Sequence, residues 1–185
     1  MVLPIVAYGD PVLRKKGEDI TKDYPGLEKL IDDMFETMEK AKGVGLAAPQ
    51  INKAIRLFVV DSNRMYDEGE ESEGIREVFI NAQVIEESGK EWPYEEGCLS
   101  IPGIREDVYR EEKVKIKYLD RDFKAHEKTF TGLTARVIQH EYDHIEGKLF
   151  IDHLKPLKKS LLKGRLEKIS KGAVDVEYKM RFPKS

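Results

Sequence analysis

Apolar residues recur at steps of three and four through Leu27, Leu30, Ile31, Met34, Phe35 and Met38. That stripe predicts an amphipathic helix over about residues 25–41, with Asp23 as its cap, Pro25 in its first turn and Gly43 as its stop. Residues 55–60, 78–85, 114–119 and 127–131 read as strands, and Val114-Lys115-Ile116-Lys117-Tyr118 alternates as a half-buried strand should. A second helix is predicted over 134–146, with Thr131 as cap and Gly147 as stop. A third is predicted over 156–171, with Leu157, Leu161, Leu162, Leu166 and Ile169 on one stripe. Val174-Asp175-Val176-Glu177-Tyr178 alternates again and predicts a terminal strand. One helix, then strands, then helices makes the class α+β.

Two stretches break the periodicity. Gly43-Val44-Gly45-Leu46-Ala47-Ala48-Pro49-Gln50 is rich in small residues that allow close backbone approach, but it lacks the spacing of a nucleotide fingerprint. Residues 62–76 are polar, with Asp67, Glu68, Glu70, Glu71 and Glu73 among them, and read as a flexible surface insertion without a site.

Length and composition narrow the class. The 185 residues, 40% hydrophobic and 36% charged, suit one soluble domain with a core that needs no staple. No apolar run approaches the roughly 20 residues of a membrane span, and the start lacks the pattern of a secretory signal. Nothing marks a membrane partner or sequence-specific DNA binding. The single cysteine, Cys98, excludes an internal disulfide and fits a reducing cytoplasm. Residues 154–185 hold ten Lys/Arg against three acids, a net +7 that leaves −10 on residues 1–153. This basic C-terminal extension reads either as a partner-binding tail or as a solvated helix face.

Chemistry concentrates in the second helix. His140-Glu141-Tyr142-Asp143-His144 is an HExxH motif. Residues four apart differ by about 40° around a helix, so both imidazoles can reach one metal, while Glu141 flanks it as a base. Two histidines need a third ligand, and three protein ligands leave a catalytic metal one open position. Cys98, in Glu96-Gly97-Cys98-Leu99-Ser100, is the available thiolate, and the N–H of Leu99 is a candidate oxyanion donor.

Three readings stand at this point. A metal-dependent hydrolase with Cys98 as ligand is the first. A zinc metallopeptidase on the same helix is the second; the extended pattern HExxHxxGxxH would need a histidine at position 150, where Phe150 stands, and Glu167 is the alternative third ligand. A ribosome- or RNA-binding module with a structural metal is the third.

Gly43 to Gln50, Glu96 to Ser100 and Gln139 to His144, in that order and separation, resemble peptide deformylase, and the likeness runs from Leu3-Pro4-Ile5 to Leu149-Phe150-Ile151-Asp152. The resemblance implies antiparallel strands around a central HExxH helix. It implies removal of the formyl group from the N-terminal formylmethionine of nascent proteins, with release of formate. Carried over by position, Cys98, His140 and His144 would bind one divalent metal. Glu141 would be the general base and then the acid, and Gln50 and Leu99 would hold the oxyanion. Gly45 and Arg105 would contact the peptide. Val44, Leu133 and Val137 are assigned to the wall of the methionine pocket. Fe(II) is implied as the native metal, with Zn, Ni or Co in a purified sample. Some members dock on the ribosome through a C-terminal helix, which here would present Lys155, Lys158, Lys159, Lys163, Arg165 and Lys168, with Leu157, Leu161 and Leu166 packed inward. Asn52 and Ile145 depart from the family's usual glycine and leucine without touching the chemistry.

Overall fold

The computed structural model describes residues 1–67, 69 and 73–183. In chain order its regular elements are β1 (Ile5–Val6), α1 (Leu27–Lys40), β2 (Gly45–Ala47), β3 (Leu57–Asp61), β4 (Arg76–Cys98), β5 (Ile101–Leu119), β6 (Ala125–Thr131), α2 (Gly132–Ile145), α3 (Pro156–Ser170) and β7 (Met180–Arg181). Strands β2 to β6 form one antiparallel sheet whose spatial order is their sequence order. β1 and β7 pair in parallel and tie the start of the chain to its C-terminal segment.

The core follows from the two-residue period of a strand. In β3, Leu57 and Val59 join the cluster around α1, with Leu30, Ile31, Met34 and Met38. Phe58 and Val60 point to the other face and join Ala135, Val137, Ile138 and Ile145 of α2. β3 is therefore buried on both sides, and one helix covers each face. β5 serves two clusters: Val114 and Ile116 pack with α2, whereas Ile101, Ile104 and Val108 pack with Phe150 and α3. The α+β class read from the pattern is the class observed, with α2 packed against the antiparallel sheet.

Several boundaries differ from the sequence reading, each for a local reason. α1 begins at Leu27, and its cap position is Gly26 at φ 69°, so neither Asp23 nor Pro25 starts it. The tight turn over Tyr24–Gly26 needs a left-handed residue at Gly26, which glycine adopts without strain. β4 and β5 run far beyond the apolar segments that announced them. Beyond Ile85 the strand is charged and mostly exposed, and it is held by pairing with β5 through several register shifts. Residues 174–178 are not a strand. Their alternation is real, with Val174, Val176 and Tyr178 half-buried, but the backbone meets a partner strand only at Met180. On α3, Leu162, Leu166 and Ile169 are buried, whereas Leu157 and Leu161 are 75% and 69% exposed and do not pack inward.

The polar stretch 62–76 falls partly outside the described residues, at Glu68 and Glu70–Ser72. Its described part is docked. Asn63–Met65 form a 3-10 turn. Tyr66 Oη accepts the backbone N–H of Thr134 at 3.0 Å, and Ser62 Oγ meets Thr134 Oγ1 at 2.8 Å. Thr131 occupies the N-cap position of α2 without a side-chain hydrogen bond, so Tyr66 supplies one that the cap does not.

Candidate metal centre and active-site cleft

A cleft of about 670 Å³ opens where β2, the β4–β5 turn, α2 and the C-terminal segment meet. α2 brings His140 and His144 to it on one face, and the end of β4 brings Cys98. The three ligand atoms lie within 4.8 Å of one another. Cys98 Sγ is 3.4 Å from His144 Nε2. His140 Nδ1 is bonded to Glu96 Oε1 at 2.9 Å, which leaves Nε2 for the cluster.

These residues fit a metal. One thiolate and two imidazoles are the donor set of zinc, iron, cobalt or nickel sites. His144 Nδ1 is buried without a hydrogen-bond partner among the described residues. Burial, then the neighbouring His140 charge, pushes the pKa of His144 down to about 3, so its imidazole is the neutral form that metals bind.

Glu141 lies against the same group. Burial pushes its carboxyl up to about 7. Its Oε1 is buried and has no partner among the described residues, and Oε2 lies against Gly45. A Cβ placed on Gly45 would sit 2.6 Å from Oε2 and 2.8 Å from Cγ, so β2 can pass the carboxylate only as glycine. A carboxyl titrating near neutrality with one free oxygen can take a proton and return it.

Gln50 closes the other side. Ala48–Ile51 form a 3-10 turn that buries it. Its Oε1 accepts the Ala47 N–H at 3.0 Å, which fixes the amide so that Nε2 is the end facing the site. Nε2 lies 3.4 Å from Cys98 Sγ and 3.2 Å from Ser100 Oγ. Val44, Gly45, Leu99, Arg105 and Val137 also line the cleft. Leu133 is half-buried and is not among the lining residues. Phe150, where the longer peptidase pattern wants a ligand, packs its ring 5.9 Å from that of His140. Glu167 is exposed on α3 and pairs with Lys171 at 2.8 Å, away from the metal ligands.

A profile of the polypeptide deformylase family matches residues 2–160. The chain belongs to that family. Peptide deformylase from Cytophaga hutchinsonii is 58% identical over 99% of this chain and 98% of its own, and that from Christiangramia forsetii is 56% identical over 99% and 97%. The crystal structure of a peptide deformylase from Legionella pneumophila, 42% identical, aligns with a TM-score of 0.80 over 94% of this chain and 98% of its own. A plant peptide deformylase structure, 35% identical, aligns with a TM-score of 0.82 over 96% of each.

In this member of the family the motif residues rest on a support that the sequence reading did not identify. Glu96 is buried beneath His140. Besides His140 it binds Arg110 through both oxygens, at 2.7 and 3.0 Å, and Arg136 at 3.0 Å. Arg110 also reaches Asp143 at 2.9 Å, and His153 reaches the same carboxylate oxygen at 2.8 Å. Burial opposes the charge on Glu96, but the His140 and Arg110 hydrogen bonds outweigh it and hold its pKa well below the usual carboxylate range. A carboxylate behind a ligating histidine fixes the ring and its tautomer. The signal was present: Glu96 and Cys98 are two apart on one strand and so project to the same side. Arg110 and Arg136 gave no signal, because in the sequence an arginine on a strand or helix looks like any surface charge.

Proposed function

We propose that the chain hydrolyses the formyl group from the N-terminal formylmethionine of nascent proteins, releasing formate and a free N-terminal methionine. The observation that carries this reading is the convergence of Cys98 Sγ, the Gln50 amide and the HExxH helix in one cleft. A peptidase ligated by Glu167 would need that side chain at the triad, and it points to solvent.

Cys98, His140 and His144 would hold the metal, which supplies Lewis-acid polarisation and lowers the pKa of water when bound. Glu141 takes the proton of the attacking water and returns it to the departing amine nitrogen. Gln50 Nε2 and the Leu99 N–H face the oxygen on which negative charge develops. Gly45 and Arg105 align the peptide, Arg105 from a position held by Glu95 at 3.1 Å. The methionine side chain lies against Val44 and Val137, beside Met65. The donor set accepts Fe(II), Ni, Co or Zn, and the likeness to the family supports Fe(II) as the native metal, with the others taking its place in a purified sample. The lone thiol supports a cytoplasmic setting. Among the described residues no helix is long and apolar enough to cross a membrane. We read residues 1–185 as one domain, because α3 and Met180 share core clusters with β1.

The test is formate release from formyl-Met-Ala by protein loaded anaerobically with Fe(II), and separately with Ni(II) and Co(II). Turnover with at least one of these is expected. Failure with all three, at full metal occupancy, would remove the reading.

Ribosome docking through α3 is part of the same proposal. Lys158 is engaged with Glu106 at 3.5 Å, and Arg165 donates to the Gly103 carbonyl. Lys155, Lys159 and Lys163 remain exposed beside Leu157 and Leu161. Replacing those three lysines by glutamate is expected to weaken ribosome binding and flatten its salt dependence, each lost phosphate contact removing up to about one unit of slope. Equal affinity at low salt in a sedimentation assay would count against docking by this face.

A further inference from the structure

The geometry points to Tyr178, beyond the segment matched by the family profile, as a positioning residue for deformylation that acts through the turn carrying Leu99. This inference rests on the deformylase reading of the site.

The end of β4 and the start of β5 are joined by a two-residue turn, Leu99–Ser100, with Cys98 paired to Ile101 and a register shift at Gly97/Cys98. The turn therefore carries two functions on adjacent residues: a metal ligand at its base and the candidate oxyanion donor on its first corner. A short turn with an irregular register has little intrinsic preference for one orientation of its peptide planes. Here three polar groups of the turn have partners outside it. The Ser100 carbonyl accepts the Tyr8 N–H at 2.9 Å, and Ser100 Oγ accepts from Gln50 at 3.2 Å. The Leu99 carbonyl accepts the Tyr178 hydroxyl at 2.7 Å across 79 residues of sequence. The Leu99 side chain is itself held close, because a Cβ on Gly43 would come within 2.9 Å of its Cδ1.

Tyr178 is delivered by the chain after α3. Gly172, at φ 77°, turns the backbone off the helix end. Val174, Val176, Tyr178 and Met180 then alternate inward, and Asp175 to Tyr178 form one wall of the cleft. The Lys179 carbonyl accepts the Ile5 N–H at 2.9 Å and β7 pairs with β1 next to it, so the tyrosine is anchored on the residue that follows it. A phenol is a donor at neutral pH. Its hydrogen bond fixes the Leu99 carbonyl and so the Leu99–Ser100 peptide plane, which only the φ and ψ rotations of Leu99 separate from the plane carrying the Leu99 N–H. A donor displaced by about 1 Å loses much of its worth to the transition state while the substrate still binds.

Tyr178→Phe keeps the ring and its packing and removes only the hydroxyl. For the nickel-loaded protein acting on formyl-Met-Ala, kcat is expected to fall roughly five- to twentyfold with KM within about twofold of the parent, as for an interaction made only in the transition state. Metal content, melting temperature and the cobalt–thiolate absorption of cobalt-loaded protein should match the parent, since Cys98 stays in place. Unchanged kcat overturns the inference. A loss carried by KM overturns it, and so does one accompanied by an altered cobalt–thiolate band, which would place the effect at Cys98. Inactivity of the parent protein with every metal is a separate result and would instead strike the deformylase reading.

Discussion

Replacing Glu141 by glutamine will leave the metal bound and abolish turnover. The substitution preserves the shape that packs on Gly45 and takes away a carboxyl whose pKa burial pushes up to about 7, where it can shuttle a proton near neutrality. The candidate metal ligands, Cys98, His140 and His144, do not include it. Positioned proton transfer is worth roughly 10²–10⁴ in rate, and the role proposed for Glu141 has two transfers in sequence, from water and to the amine. The expected kcat is therefore lower by at least about 10²-fold at unchanged metal stoichiometry. The measurement is formate release alongside elemental analysis. Activity within about tenfold of the parent would mean that the proton travels by another route.

The second large effect is expected away from the metal itself. Glu96→Gln removes one negative charge from a group whose other members are His140, Arg110 and Arg136. Arg110 keeps Asp143, but Arg136 has no other carboxylate among the described residues and keeps two carbonyl contacts, to Trp92 and Val108. Breaking a buried pair from one side costs about 3–5 kcal/mol, because the partner's charge stays desolvated. For a chain of this size that corresponds to a melting temperature lower by roughly 6–20 °C. Metal affinity should fall about 10- to 100-fold as well, since His140 loses the acceptor that orients it. A melting temperature within about 2 °C of the parent, with unchanged affinity, would show that Glu96 is neither an anchor nor an orienting group.

What the sequence disclosed and what it hid divide along a physical line. α1, the central strands and α2 each bury one face or both, so their periodicity appears in the residue order. Cys98, His140, His144 and Glu141, which the fold brings together, stood out in the sequence because metal chemistry restricts residue type and helix geometry restricts spacing. The far halves of β4 and β5 were not legible, since pairing of backbone to backbone holds them and their side chains are charged. Leu157 and Leu161 misled for the opposite reason: leucine is a good helix former whether or not it is covered. Tyr66 and Tyr178 were invisible as contacts, because a tyrosine that finishes a helix end or a turn 68 or 79 residues away leaves no mark on its neighbours. Gly45 was noted as a small residue allowing close approach and, from the resemblance, as a peptide contact; the structure adds the Glu141 carboxylate as a group it admits.

The ligands of the centre come from two places that are remote along the chain. Cys98 closes the first long strand of the hairpin, and His144 lies in the last turn of α2, 46 residues later. A metal bridging them binds the folded chain, where the three ligand atoms are brought together, and so favours folding. The ion therefore acts as a removable cross-link. Loading and folding are linked by mass action, each tenfold excess of free metal over its dissociation constant adding about 1.4 kcal/mol until binding to unfolded thiol and imidazole intervenes. A cell short of the metal would hold this enzyme not merely idle but less durable, and its lifetime would report the metal supply.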